Sequence, residues 1–220
     1  MSTPVEDLGT RQQAHWEATF RASPQLYGSA PSEAGRWALS RMLADGAARV
    51  LELGAGHGRD TLHFLDAGLE VTAVDYAVSG LAALWDAAHG RGTGARLTSV
   101  THDLCRPLPL ADGYFDACFA HMLFTMAFTT SELVALGAEL HRVLRPGATC
   151  VYTVRHKGDA HYGQGIDLGD DRFENGGFAV HFFDEDLVHR LADGFELEDV
   201  TAFEEGDLPR RLWRVTMRRR

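Results

Sequence analysis

Apolar positions along the chain alternate between two spacings, one suited to helices and one to strands. At residues 32–44 they fall at helical intervals (Ala34, Trp37, Ala38, Met42), and residues 49–53 then form a short apolar run. A helix over about 59–67, a strand at 70–74, a helix over about 78–89 and a short strand at 95–100 follow. The loop RPLPLADG separates these from a buried strand, Phe115 to Ala120. Residues 131–143 carry an amphipathic stripe (Leu133, Leu136, Leu140, Val143) that Arg145-Pro146-Gly147 should stop, and Thr149 to Val154 reads as a β-branched strand. Strands separated by helices of this length predict an α/β fold: a doubly wound, mostly parallel seven-stranded sheet with helices on both faces.

The rhythm changes in the last third. Residues 158–182 are rich in glycine and aspartate and predict an excursion or β-hairpin on the substrate side. Asp184 to Ala192 reads as a helix with an aspartate N-cap. Phe195 to Phe203 and Leu212 to Met217 are strands joined by the acidic EEGDLPR, so one antiparallel strand is expected at the sheet edge. Residues 1–45 form a helical lead-in, and 1–220 is expected to be a single domain.

Composition narrows the partners. A net charge of −10 argues against nucleic acid or an anionic membrane surface, despite the arginine cluster Arg210, Arg211, Arg214 and Arg218 to Arg220. Three cysteines at irregular spacing (Cys105, Cys118, Cys150) indicate neither a disulfide framework nor a thiolate zinc site. No signal peptide or membrane-length apolar window is visible, so a cytoplasmic setting is expected. Nothing in the sequence speaks to oligomeric state.

Chemistry concentrates at VLELGAGHGRDTLHFLDAGLEVTAVD, residues 50–75. An apolar strand runs into Gly54, Gly56 and Gly58, and a second strand ends in Asp75, about 20 residues on, where nucleotide-binding α/β folds hold a ribose diol. A dinucleotide loop is GxGxxG, whereas this one is GxGxG with Glu52 just before it. A carboxylate there is a poor neighbour for a pyrophosphate and suits an amino group or a sulfonium. The loop therefore favours S-adenosylmethionine over NAD.

With these motifs the chain resembles the class I S-adenosylmethionine-dependent methyltransferases over most of its length. ELGAGHGRD looks like their first motif, which implies that Glu52 and the backbone of Gly54, Ala55 and Gly56 lie near the methionine part of the cofactor. Asp75 matches the ribose-binding acid, with Tyr76 beside it. HDLCRPLP resembles the adenine-contacting segment and nominates Asp103 and the Leu104 backbone. FDACFAHMLF and ELHRVLRPGATCVYTVR resemble the fourth-strand motif and the helix, turn and strand after it, with His121 at the cofactor rim. HWEATFRASPQLYGSAPSEAG looks like a lead-in that folds over the cofactor, which nominates Trp16, Phe20 and Tyr27 as a lid; packing on the sheet is the alternative.

Strand C-termini in an open α/β sheet face the crevice, which places His121, Arg155 and His156 near it, with His181 further along. They are the catalytic candidates, a histidine acting as general base; the alternative is that each histidine hydrogen-bonds loop backbone. No metal is called for, since His156, His161 and His181 lack a ligand spacing fixed by a helix. The expected activity is methyl transfer to a small molecule, because the chain is acidic and lacks an (N/D)PP(Y/F) motif after the fourth strand. A non-catalytic S-adenosylmethionine-binding regulator and a nicotinamide-dependent oxidoreductase are the rival readings.

Overall fold

The computed structural model describes residues 8–23, 28–206 and 210–220. Two helices lead in, α1 (Leu8–Ala22) and α2 (Glu33–Ala44). An alternating series follows: β1 (Arg49–Leu53), α3 (Arg59–Asp66), β2 (Glu70–Asp75), α4 (Val78–Gly90), β3 (Leu97–Thr101), β4 (Phe115–His121), α5 (Thr130–Val143) and β5 (Leu144–Arg155). The remainder comprises three short strands, β6 (Ile166–Asp167), β7 (Arg172–Asn175) and β8 (Phe178–His181), then α6 (Glu185–Leu191), β9 (Phe195–Glu205) and β10 (Arg210–Arg219).

The main sheet has seven strands in the order β3-β2-β1-β4-β5-β10-β9. The order reverses beside β1, and the crevice above that reversal is the usual ligand site of a doubly wound sheet. All pairs from β3 to β5 are parallel, while β10 runs antiparallel to both β5 and β9. The single antiparallel strand therefore lies one place in from the edge, which β9 occupies. The excursion after β5 forms its own antiparallel sheet, β6-β7-β8.

Side chains alternate between two cores. Leu51 and Leu53 of β1 join Cys118, Ala120, Tyr152 and Val154 against α5 and α6. Val50, Ala117, Phe119 and Val151 face α2, α3 and α4. Caps fix the helix starts: Asp184 accepts from the Leu187 N–H (2.9 Å), and Thr129 with Glu132 forms a reciprocal capping box on α5. Arg145-Pro146-Gly147 does not separate helix from strand as expected. The chain passes straight from α5 into β5, and the register against β4 slips between Phe115 and Ala117. Proline cannot donate to the ladder and Gly147 takes a φ of 79°, so the turn is absorbed as an irregularity within the strand.

Candidate functional site

At the end of β1 the backbone leaves the sheet through Gly54 and Gly56, both left-handed (φ 69° and 56°). The Gly54 and Ala55 N–H groups donate to the Val74 carbonyl (2.8 and 3.3 Å), tying the loop to β2. A Cβ on Gly56 would come within 2.9 Å of the Phe20 ring, and one on Gly54 within 2.8 Å of Leu123. Only glycine satisfies both the conformation and the approach.

Two buried carboxyls flank this loop. Asp75 accepts the Gly56 N–H through Oδ2 and the Ala77 N–H through Oδ1, each at 2.8 Å. Burial pushes its pKa up, and the backbone N–H bonds offset this only in part. Glu52 accepts a hydrogen bond from Thr61 (2.6 Å). Burial first, and the neighbouring Asp60 second, push its carboxyl well above the usual range, with the Thr61 hydrogen bond and then Arg59 opposing. The loop thus sits among closely spaced acids in a desolvated setting, which favours a ligand that brings positive charge.

The segment after β3 is drawn to the same place, because the His102 N–H donates to the Asp75 carbonyl (3.0 Å). Leu104 is buried there, and Asp103 caps its own turn through the Cys105 N–H (3.0 Å). Tyr76 is half-buried, and burial, aided by Asp75 and Asp103, raises the pKa of its phenol. Over the loop lies α1. Phe20 packs on Gly56, Trp16 stacks on Phe20 at 5.5 Å, and Glu17 ties the helix to α4 by accepting the Ser79 N–H (3.1 Å). Tyr27, the third proposed lid residue, lies outside the described residues.

Comparison with known proteins agrees with this arrangement. Residues 50–147, from the first glycine-loop strand to the turn in β5, match a family model described as a methyltransferase domain. Over these residues the chain is similar to S-adenosylmethionine-dependent methyltransferases. Among curated relatives, malonyl-[acyl-carrier protein] O-methyltransferase of Enterobacter lignolyticus is 30% identical over 144 residues, 64% of this chain and 53% of the relative. Demethylmenaquinone methyltransferase of Beutenbergia cavernae is 35% identical over 106 residues, 47% of this chain and 39% of the relative. The matched part of the chain thus spans about half or less of these curated relatives. A similar fold is that of 1,6-didemethyltoxoflavin-N1-methyltransferase of Burkholderia thailandensis, solved with 1,6-didemethyltoxoflavin and S-adenosylhomocysteine. It has a TM-score of 0.75 and 20% identity, and the match covers 100% of this chain and 93% of that one.

The residues of this site fit S-adenosylmethionine on their own chemistry. Asp75 is a buried acid at a strand tip, suited to ribose hydroxyls, and Glu52 is a desolvated acid that a nearby cation would relieve. The backbone at Gly54 and Gly56 permits an approach that any side chain would block.

The four catalytic candidates are all engaged elsewhere. Arg155 is buried and forms a bidentate pair with Asp159 (2.5 and 3.2 Å), also bonding His161 Nδ1 (2.7 Å) and lying over the Phe182 ring. His156 accepts the Gly158 N–H at Nδ1 (3.0 Å) and stacks on Trp213 at 4.7 Å. His181 is buried; its Nδ1 donates to the Phe128 carbonyl (2.8 Å), and burial lowers its pKa and favours the neutral ring. His121 is the last residue of β4 and is held at both ring nitrogens, by Thr153 at Nδ1 (2.9 Å) and Glu205 at Nε2 (3.2 Å). On their strands, Arg155 shares a face with Thr153 and His121, while His156 projects with Val154 and Trp213 from the other. His121 and His156 could take a proton only by giving up a bond at Nδ1, Arg155 is already a cation, and His181, whose Nε2 carries the lone pair, is buried. Among the described residues no cluster of three His, Cys, Asp or Glu side chains has metal-binding geometry.

Glu205 was missed by sequence reasoning, which read it as part of a solvated acidic loop after a strand ending at Phe203. In the structure β9 continues to Glu205, opposite Arg210. The available signal was period-two alternation, which puts Glu205 on the same face as the half-buried Phe203. Asp60 was also missed: it accepts the Ser32 N–H (2.7 Å) and hydroxyl (3.0 Å), docking the start of α2 beside the loop.

Proposed function

We propose that this chain transfers a methyl group from S-adenosylmethionine to a small-molecule acceptor. The observation that carries the reading is the glycine loop held by Asp75 beside the desolvated Glu52. When bound, S-adenosylmethionine supplies an electrophilic methyl on a sulfonium. Asp75 holds the ribose hydroxyls, and Tyr76, Asp103 and Leu104 flank the adenine. Glu52, ionised by the incoming charge, balances the methionine amino group and sulfonium. Trp16 and Phe20 close over the loop and exclude water.

In-line displacement needs mainly positioning. Each of His121, Arg155, His156 and His181 already has a partner, which supports an acceptor that arrives in nucleophilic form, with these residues shaping the site and no obligatory base among them. The acceptor lies under a roof made by α1 and the β6–β8 excursion. Gln12 Nε2 donates to the Gly177 carbonyl (2.5 Å), and His15 and Trp16 meet the Phe178 ring at 4.1 and 5.7 Å. In this reading 1–220 acts as one unit.

Calorimetry with S-adenosylhomocysteine tests the reading. The wild-type chain is expected to bind it, and Asp75→Asn to weaken binding by about 1–3 kcal/mol through loss of charge-assisted hydrogen bonds. No heat and no thermal stabilisation with the wild-type chain would remove the cofactor assignment. Equal affinity in Asp75→Asn would place the ribose elsewhere.

A further inference from the structure

Three side chains from three strands form a hydrogen-bonded line across the α2–α4 face of the sheet. Glu205, at the end of β9, reaches His121 Nε2 (3.2 Å). His121 Nδ1 meets the Thr153 hydroxyl of β5 (2.9 Å). The same hydroxyl oxygen accepts the Met122 N–H (2.9 Å). Thr153 is fully buried and the His121 ring is largely so, lying parallel to Phe119 at a centroid distance of 6.2 Å.

The donors and acceptors set a direction. Because Thr153 Oγ1 already accepts from Met122, its one hydrogen is free to point at His121 Nδ1. The Glu205 carboxylate can only accept, so His121 Nε2 carries a hydrogen towards it, and Nδ1 can take the Thr153 hydrogen. The His121 hydrogen bond, the largest influence, holds the Glu205 carboxyl down at about 2 against the cost of burial, helped by the charge interaction with His121 and then by Arg59 and Arg210. The charged groups around the line are thus Glu205 on β9, Arg59 on α3 and Arg210 on β10.

What stands at the other end gives the line its purpose. Met122 is the first residue beyond β4 and adopts a left-handed backbone (φ 58°), which is costly for a residue with a long side chain. Its N–H bond to Thr153 is what secures that conformation. Leu123, the next residue, lies against Gly54, close enough that a Cβ there would come within 2.8 Å of Leu123 Cδ1. The turn at Met122 and Leu123 therefore forms one wall of the glycine-loop crevice.

We propose that Glu205 is a positioning residue for that crevice, fixing a hydrogen on His121 Nε2 and, through Thr153, holding Met122 in the conformation that seats Leu123 against Gly54. The inference rests on the cofactor reading for its functional consequence but not for its geometry. It assigns work to a residue of the edge strand that touches neither cofactor nor acceptor.

Nitrogen-15 NMR of the imidazoles, combined with S-adenosylhomocysteine calorimetry, tests it. Wild type is expected to show a hydrogen fixed on His121 Nε2. Glu205→Ala is expected to lose that fixed hydrogen and to bind S-adenosylhomocysteine about tenfold more weakly, the loss of roughly one hydrogen bond's worth of order. Glu205→Gln keeps an acceptor for Nε2–H, and is expected to restore that hydrogen and most of the affinity. A merely structural Glu205 would lower the melting temperature in both variants without this split. A His121 with no hydrogen on Nε2 in wild type, or a ring state and affinity unchanged in Glu205→Ala, would overturn the proposal. A wild-type chain that binds no S-adenosylhomocysteine would remove the cofactor reading, and the tautomer measurement would still judge the relay.

Discussion

Replacing Arg155 by alanine separates two roles that its position at the end of β5 leaves open to a sequence reader. The guanidinium grips Asp159 with two hydrogen bonds, and Asp159 also accepts the His161 and Arg211 N–H groups (2.8 Å each). One buried carboxylate thus joins the loop after β5 to the start of β10. Burial opposes the Asp159 charge, but Arg155 and the two backbone donors prevail and hold its carboxyl at about 2, against 3.8 for a free aspartate. Such a depression contributes roughly 2.5 kcal/mol of stability, at about 1.36 kcal/mol per pH unit. It is present above the unfolded-state value and lost as pH falls through the folded one. Removing Arg155 also strands a buried carboxylate, so Arg155→Ala should destabilise the chain by about 3–5 kcal/mol at pH 7. The gap to wild type should narrow as pH falls from about 5 to about 2, where wild-type Asp159 is half protonated, and approach the full roughly 2.5 kcal/mol only below that. Urea unfolding at a series of pH values measures both quantities. A variant with wild-type stability at pH 7 and reduced turnover would refute the argument and return Arg155 to the acceptor site.

Two further outcomes bear on the glycine loop. Because the Glu52 carboxyl is raised by burial and by Asp60, the folded chain without ligand binds a proton there more tightly than the unfolded chain, so this residue costs stability as pH rises above about 4.5. Glu52→Gln should therefore raise the urea midpoint at pH 7 while weakening S-adenosylhomocysteine binding, and an unchanged or lower midpoint would show that Glu52 is already compensated. Phe20→Ala opens a space beside Gly56; it should destabilise α1, at a cost of up to about 3 kcal/mol, and speed S-adenosylhomocysteine release at least about tenfold by the same arithmetic. Stopped-flow tryptophan fluorescence reads that rate, and an unaltered rate would mean that α1 does not cover the cofactor.

The parts of the fold that are local in sequence were legible. The path from Val50 to Asp75 is a complete strand–loop–helix–strand unit, and its glycines, its apolar runs and its terminal acid each follow from contacts within a few turns of chain. Asp184 as a helix cap and the stripe of Leu133, Leu136 and Leu140 are likewise local statements. What could not be read was which distant group satisfies a given polar side chain. His121 looked available because Glu205 and Thr153 come from other strands, and only sheet register brings them to it. Arg155 looked like a substrate ligand for the same reason, since its partner Asp159 lies on a tight irregular turn whose shape no periodicity encodes. The place of β10 between β5 and β9 is also a matter of register: two consecutive strands can add to an edge in either order, and the sequence pattern is the same for both.

The roof has a consequence for how the two ligands would know of each other. Helix α1 touches the glycine loop through Phe20 and the β7–β8 tip through Gln12, His15 and Trp16, a contact that spans 165 residues of sequence. A single rigid helix therefore belongs to both walls at once. Whatever free energy an acceptor spends in drawing the excursion onto α1 also presses Phe20 onto the loop, and thermodynamic reciprocity requires the methyl donor to strengthen acceptor binding by the same factor. The coupling between donor and acceptor would then lie in one helix and not in the reacting atoms.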